Sequence, residues 1–238
     1  VILSIDTSTP ACAVALCQNG RLLGTSELFL EKATASSCLP LVHQLLESCQ
    51  ASPRQLQAVA VAHGPGSYTG LRIGLSTAKG LCMALGLPLY GIGTLEALAA
   101  EAAYRLPIAP HDWVMPLLDA RRLEAYAALY DAQGHEAKAP HSCLLDRPEA
   151  FADVPPQGRV WVVGDAAVKA IPFLPGDRFL PVPHLHTAAA GAALLAAKRL
   201  ESGSPDSLAY AEPFYLKPAQ AKASEGHKLL KTLKQRPS

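Results

Sequence analysis

Two distant stretches of this chain, VILSIDTSTPACAVALCQNG at 1–20 and VMPLLDARRLEAYAALYDAQG at 114–134, share one pattern: an apolar strand, an acid, a polar turn and a second apolar strand. Aligned on the acids, Asp6 falls on Asp119 and Ala15-Leu16 on Ala128-Leu129. A unit that occurs twice predicts two similar α/β domains, each opening on a strand that ends in a carboxylate. The length of 238 residues accommodates two small domains. EAAYRLPIAPHDW at 101–113, with its two prolines, is the expected crossing and divides the chain into 1–108 and 109–238.

Between the repeats the hydrophobic period changes. Leu39, Val42, Leu45, Leu46 and Cys49 share one helical face, which predicts a first helix at 36–50 with Ser36 or Ser37 as N-cap and Pro40 in its first turn. LQAVAVA reads as a buried strand, and Leu71, Leu75, Ala78, Cys82 and Leu85 predict a second helix at 71–85 that stops at Gly86. In the second half, RVWVVGDA reads as a strand and TAAAGAALLAAKRLESG as a helix capped by Thr187 and ended by Gly203. A basic tail at about 218–238 follows, and it reads as a solvated end.

Half of the residues are apolar and 17% are charged, which is a globular composition. A net charge of +1 excludes nucleic-acid binding driven by an overall basic field. Cys12, Cys17, Cys38, Cys49, Cys82 and Cys143 form no CxxC pair and fit a reducing cytoplasm. No apolar run reaches the roughly 18 residues of a membrane span, and the start carries no basic leader, so a cytoplasmic protein without a membrane contact is expected.

HGPGSYTGLRIG at 63–74 sits between strand and helix, where a phosphate loop would sit. It fails the Walker pattern, because Gly70 is followed by Leu71-Arg72 rather than lysine and a hydroxyl. Its glycines are better accounted for by a tight turn and by close packing at Gly70 and Gly74. Asp6, Thr7, Ser8 and Thr9, with Asp119 in the second repeat, form a weak nucleotide-site candidate in which the acid acts on a cation through water. The alternative for these residues is a turn that ends a strand. His184 and His186 lack a third ligand at useful spacing, so no metal site is expected. No nucleophile–base signature is present, and no catalytic residue is assigned.

ILSIDTSTPACAVAL, AVAVAHGPGSYTGLRIGLSTAKGL, GIGTLEALA, LLDARRLEAYAALY and EPFYLKP, in this order, resemble the bacterial TsaB (YeaZ-like) family. That family is the accessory subunit of the machinery that places threonylcarbamoyl on tRNA. The resemblance implies the actin-like, sugar-kinase and Hsp70-like fold, with two α/β domains of mixed sheet and flanking helices. It further implies a non-catalytic scaffold that binds the TsaD-type catalytic subunit and is joined by a TsaE-type ATPase. It implies a homodimer when the chain is alone, and tRNA reached mainly through the complex. No cofactor is expected on the chain itself; ATP or ADP is expected only at the subunit junction.

In such a family the first two helices meet the partner, which nominates Leu39, Val42, His43, Leu46, Leu71, Leu75 and Cys82. Gly64, Gly66, Ser67, Thr69, Gly70 and Arg72 carry the family signature. The chain departs from the family at Lys32-Ala33-Thr34-Ala35, where an Arg-x-His-Ser-like element is usual. The competing reading is an ATP-binding phosphotransferase of the same fold, with the nucleotide over Asp6-Thr7-Ser8-Thr9.

Overall fold

In the computed structural model, which describes residues 1–29 and 34–217, strands β1 (Ile2–Asp6), β2 (Cys12–Gln18), β3 (Arg21–Leu28), β4 (Ala58–Gly64) and β5 (Leu89–Gly93) form one sheet in the order β3-β2-β1-β4-β5. β6 (Trp113–Asp119), β7 (Glu124–Asp131), β8 (Glu136–Leu144), β9 (Val160–Val163) and β10 (Phe179–Val182) form a second in the order β8-β7-β6-β9-β10. Each half thus has an antiparallel meander followed by two strands parallel to the first. The duplication read from the sequence is real at the level of topology.

Its alignment is corrected by one residue in the second strand. Asp6 pairs with Ala13 and Asp119 with Ala125, so Ala15 corresponds to Ala127 rather than to Ala128. The turn at 120–123 is one residue shorter than that at 7–11. A one-residue slip exchanges the two faces of a strand, so only the corrected register puts equivalent side chains on equivalent sides.

The helices are α1 (Thr34–Ser48), α2 (Tyr68–Leu85), α3 (Thr94–Arg105), the short α4 (Ala167–Ala170) and α5 (Ala189–Ser202). Alternation along the strands sorts them into layers. Leu3, Ile5, Val14, Leu16, Val59 and Val61 face α1 and α2. Ala58, Ala60, Ala62 and Tyr90 point the other way, into a cluster shared with α3, α5 and the second-sheet residues Val114, Leu118 and Val163. α3 and α5 are therefore sandwiched between the sheets. The small faces at Ala13 and Ala15, against Ala189, Ala190 and Ala193, let α5 lie close to β2. α5, encoded in the second half, completes the first sheet.

Several element boundaries differ from the sequence reading. α1 begins at Thr34, which places Ser36 and Ser37 inside the helix. α2 starts at Tyr68, where the Ser67 hydroxyl accepts the Gly70 amide at 3.3 Å, and it ends at Gly86 with φ 66°. α3 takes residues 101–105 out of the expected crossing. Thr187 does not cap α5; its hydroxyl donates to Glu27 at 2.8 Å. Lys32 and Ala33 and the basic tail at 218–238 lie outside the described residues.

Glu101 of α3 is the buried acid of the middle layer. Its Oε1 accepts from Arg105 Nε at 2.7 Å, while Oε2 is buried without a partner. Burial pushes its carboxyl up to about 7 against the pull of Arg105. A carboxyl raised in the folded state stabilises at low pH, and that contribution fades as pH climbs from the ordinary carboxylate range through 7, a loss of about 3 kcal/mol at most. Glu101→Gln is expected to melt with the wild type near pH 5 and about 5 °C or more above it at pH 8. Equal melting temperatures at pH 8 in a thermal scan would refute this. Burial also raises Asp6 and Asp165, so part of the slope persists in the variant.

Candidate functional site

The signature loop and the first acidic turn form one interlocked unit. Asp6 is buried at the end of β1. Its Oδ1 accepts the Ser8 amide at 2.8 Å, and its Oδ2 accepts the Ala188 amide at 2.6 Å. The carboxyl thus caps α5 by accepting the amide at its start, while burial pushes its pKa up. Ser4 Oγ donates to the Ala189 carbonyl in the same joint. Thr7 Oγ1 donates to the Gly70 carbonyl at 2.7 Å, and the Ser67 amide donates to the Ser8 carbonyl at 2.6 Å.

Two glycines make this approach possible. A Cβ at Gly70 would lie 1.9 Å from the Thr7 carbonyl oxygen, and one at Gly66 would lie 2.6 Å from that of Ser8. The amides of Ser67 and Gly70, which an anion at this helix start would need, already serve Ser8 and Ser67. The nucleotide candidates Asp6, Thr7 and Ser8 all belong to this interlocked turn. All three are buried, and the Asp6 carboxylate and the Thr7 hydroxyl are committed to the protein's own backbone.

The second acid behaves differently. Asp119 is exposed, accepts the Arg121 amide at 2.6 Å and pairs with Lys169 Nζ at 2.6 Å. Its own amide donates to Asp165 Oδ1 at 2.8 Å. Burial, with Asp119 and Asp6 nearby, pushes the Asp165 carboxyl up to about 6. Arg121 and Arg122 stand in the turn with φ of 75° and 51°, a conformation that non-glycine residues adopt at a cost. Lys169 and Asp165 were missed by sequence reasoning; the only cue to Asp165 is its place at the end of an apolar strand.

The residues nominated for the partner separate by face. Val42, Leu46, Leu71, Leu75 and Cys82 are buried under the helices and are corrected to core residues. A single apolar stripe per helix is used up by the helix's own sheet. Leu39, 53% exposed, and His43 remain on the outer surface. Met83 at 77% and Leu85 at 39% join them from α2, and sequence reasoning missed Met83.

The rest of the signature meets the segment EPFYLK at 212–217. Gly64 leaves room for the Phe214 carbonyl, and the Phe214 amide donates to the His63 carbonyl at 2.7 Å. Arg72 Nε donates to the Tyr215 hydroxyl at 3.1 Å, with the guanidinium 4.2 Å from the centre of the Tyr68 ring. Tyr68 and Tyr215 stack at 4.6 Å, and Thr69 is exposed beside them. His184 is exposed, and His186 lies 3.6 Å from Glu27. Among the described residues, no group of three His, Cys, Asp or Glu side chains is placed to share a metal ion, and no helix is long and apolar enough to cross a membrane.

Comparison with known proteins places this geometry. The family model "TsaD: tRNA N6-adenosine threonylcarbamoyltransferase" matches residues 29–175. The Bacillus subtilis tRNA threonylcarbamoyladenosine biosynthesis protein TsaB is 37% identical over 129 residues, 54% of this chain and 54% of its own. YeaZ from Pseudomonas aeruginosa superposes with a TM-score of 0.75 at 27% identity, covering 90% of this chain and 99% of that one. The chain belongs to the TsaB/YeaZ family. It spans about half the length of the curated TsaB relatives it matches. A polyphosphate/ATP-glucomannokinase from Arthrobacter, 16% identical with a TM-score of 0.50 over 85% of this chain and 99% of that one, shares the fold alone. The fold is thus the actin-like and sugar-kinase type, with two mixed sheets and flanking helices. Within the TsaB/YeaZ family, the GPGSYTG loop of this chain serves as a packing device at the base of α2.

Proposed function

We propose that this chain is the non-catalytic scaffold of the cytoplasmic complex that transfers threonylcarbamoyl to N6 of the adenosine beside the anticodon of tRNA. It binds a TsaD-type catalytic subunit through the outer faces of α1 and α2, a TsaE-type ATPase joins the pair, and tRNA is reached through the complex. Free of its partner, the chain pairs with a second copy through the same face. Any ATP or ADP sits at the subunit junction. The observation that carries this reading is the internal use of Asp6, Thr7 and Gly70, which fills the position of a nucleotide loop with protein contacts. The relatives' names and the exposed Leu39, Met83 and Leu85 support it. A scaffold of this kind acts by holding the catalytic subunit in its competent conformation, a population shift rather than chemistry of its own.

The test is co-elution with the TsaD-type subunit, together with tRNA modification assayed with and without this chain. Stable co-elution and at least a tenfold gain in modification are expected. Separate elution with an unchanged modification rate would remove the proposal.

A further inference from the structure

The segment that follows α5 runs over the first sheet and ends on the second. Asp206 donates its amide to the Leu89 carbonyl at 2.8 Å, accepts the Gly91 amide at 2.6 Å and lies 3.4 Å from Arg199. Leu208 and Ala211 pack against the core beneath α2. Phe214 then bonds His63 at the end of β4, and Tyr215 stacks on Tyr68 and receives Arg72. Two residues later, Lys217 pairs with Glu124, the first residue of β7 in the other half. The path begins beside Leu89, the first residue of β5, and reaches the carboxyl edge of the first sheet at His63, near the end of β4.

We infer that residues 206–217 are a clasp, which ties the two halves together across that edge and fixes the start of α2. Taken singly, its contacts are weak. One half-buried ion pair and one stacked aromatic pair each add little by themselves. Strung along one extended segment they act together, because release at one end frees the neighbouring anchor. Tyr215 and Lys217 are positioning residues, acting through Arg72 and Glu124. The consequence for association rests on the scaffold reading, since the helix held by Tyr215 is the one whose outer face is offered to the partner.

The experiment is amide hydrogen exchange on the free chain, with segments 63–74 and 119–126 followed separately. Lys217→Glu is expected to speed exchange at least threefold in both segments, although 63–74 lies away from the broken pair. Adding Glu124→Lys, which restores the pair with its signs exchanged, is expected to return both to the wild-type rate. Tyr215→Ala should produce the same joint loss, and Tyr215→Phe, which keeps the stack, a smaller one.

Unchanged exchange at 63–74 in the Lys217→Glu chain overturns the clasp, as does failure of the exchanged pair to restore it. Should Tyr215→Ala not fold, the charge variants still decide the matter. These measurements need no partner, so their failure is distinct from a failure to co-elute, which counts against the scaffold reading.

Discussion

Gly70→Ala is expected to lower the melting temperature of the free chain by about 10 °C, a loss of about 3 kcal/mol or more. The added methyl would stand 1.9 Å from the Thr7 carbonyl oxygen, with Ser67 Cβ at 3.2 Å on its other side. Neither neighbour is the free end of a flexible chain. Relief requires α2 to move off the β1–β2 turn, which breaks the bond from Thr7 Oγ1 to the Gly70 carbonyl and disturbs the Asp6 cap behind it. The same substitution at Gly80, in the same helix, meets nothing within 4 Å. There it should raise stability by about 0.5–1 kcal/mol through helix propensity alone. Thermal melts of the two variants side by side separate close packing from propensity. A drop of less than about 3 °C for Gly70→Ala would mean that the loop yields cheaply and is not the rigid base described above.

Met83→Arg is expected to leave the melting temperature unchanged and to weaken association with the catalytic subunit about 100-fold or more. Met83 is 77% exposed, so a charge there costs the free chain little. In the centre of a closed interface the same charge would be desolvated without a counter-ion, and substitutions at such positions cost about 2 kcal/mol or more. Val42→Arg supplies the contrast. Val42 is buried against β-strand residues, and a buried unpaired charge should unfold the chain instead of sparing it. Titration of each folded variant against the catalytic subunit reads the first effect, and circular dichroism melts read the second. Full-strength association by Met83→Arg would move the partner face away from the end of α2.

What the sequence discloses here follows the range of the interaction that matters. The repeated strand–acid–strand unit and the stop of α2 at Gly86 are local, and both are visible in residue order. The one-residue slip between Ala127 and Ala128 arose because a gapless alignment has no means of seeing a shortened turn. The side of each helix that meets the partner stays open in the sequence, because periodicity marks one apolar stripe and does not say that the helix's own sheet consumes it. Leu39 was read into that stripe and stands exposed at its edge, whereas Met83 lies outside it, so no pattern singles Met83 out. The cap of α5 was least legible of all. Thr187 is the obvious local candidate, and Asp6 does the work from the opposite end of the fold.

That long-range cap has a consequence for biosynthesis. As the chain leaves the ribosome, β1 to β5 emerge before the helix start that Asp6 caps, with the alanine face of their sheet open to water. The helix that covers this face, Ala189–Ser202, follows all ten strands in chain order. Loop closure over such a distance is slow, and an open sheet face is a surface on which nascent chains adhere to one another. A chain interrupted before Ala189 therefore presents that face to its neighbours, and α5 is the element whose arrival covers it.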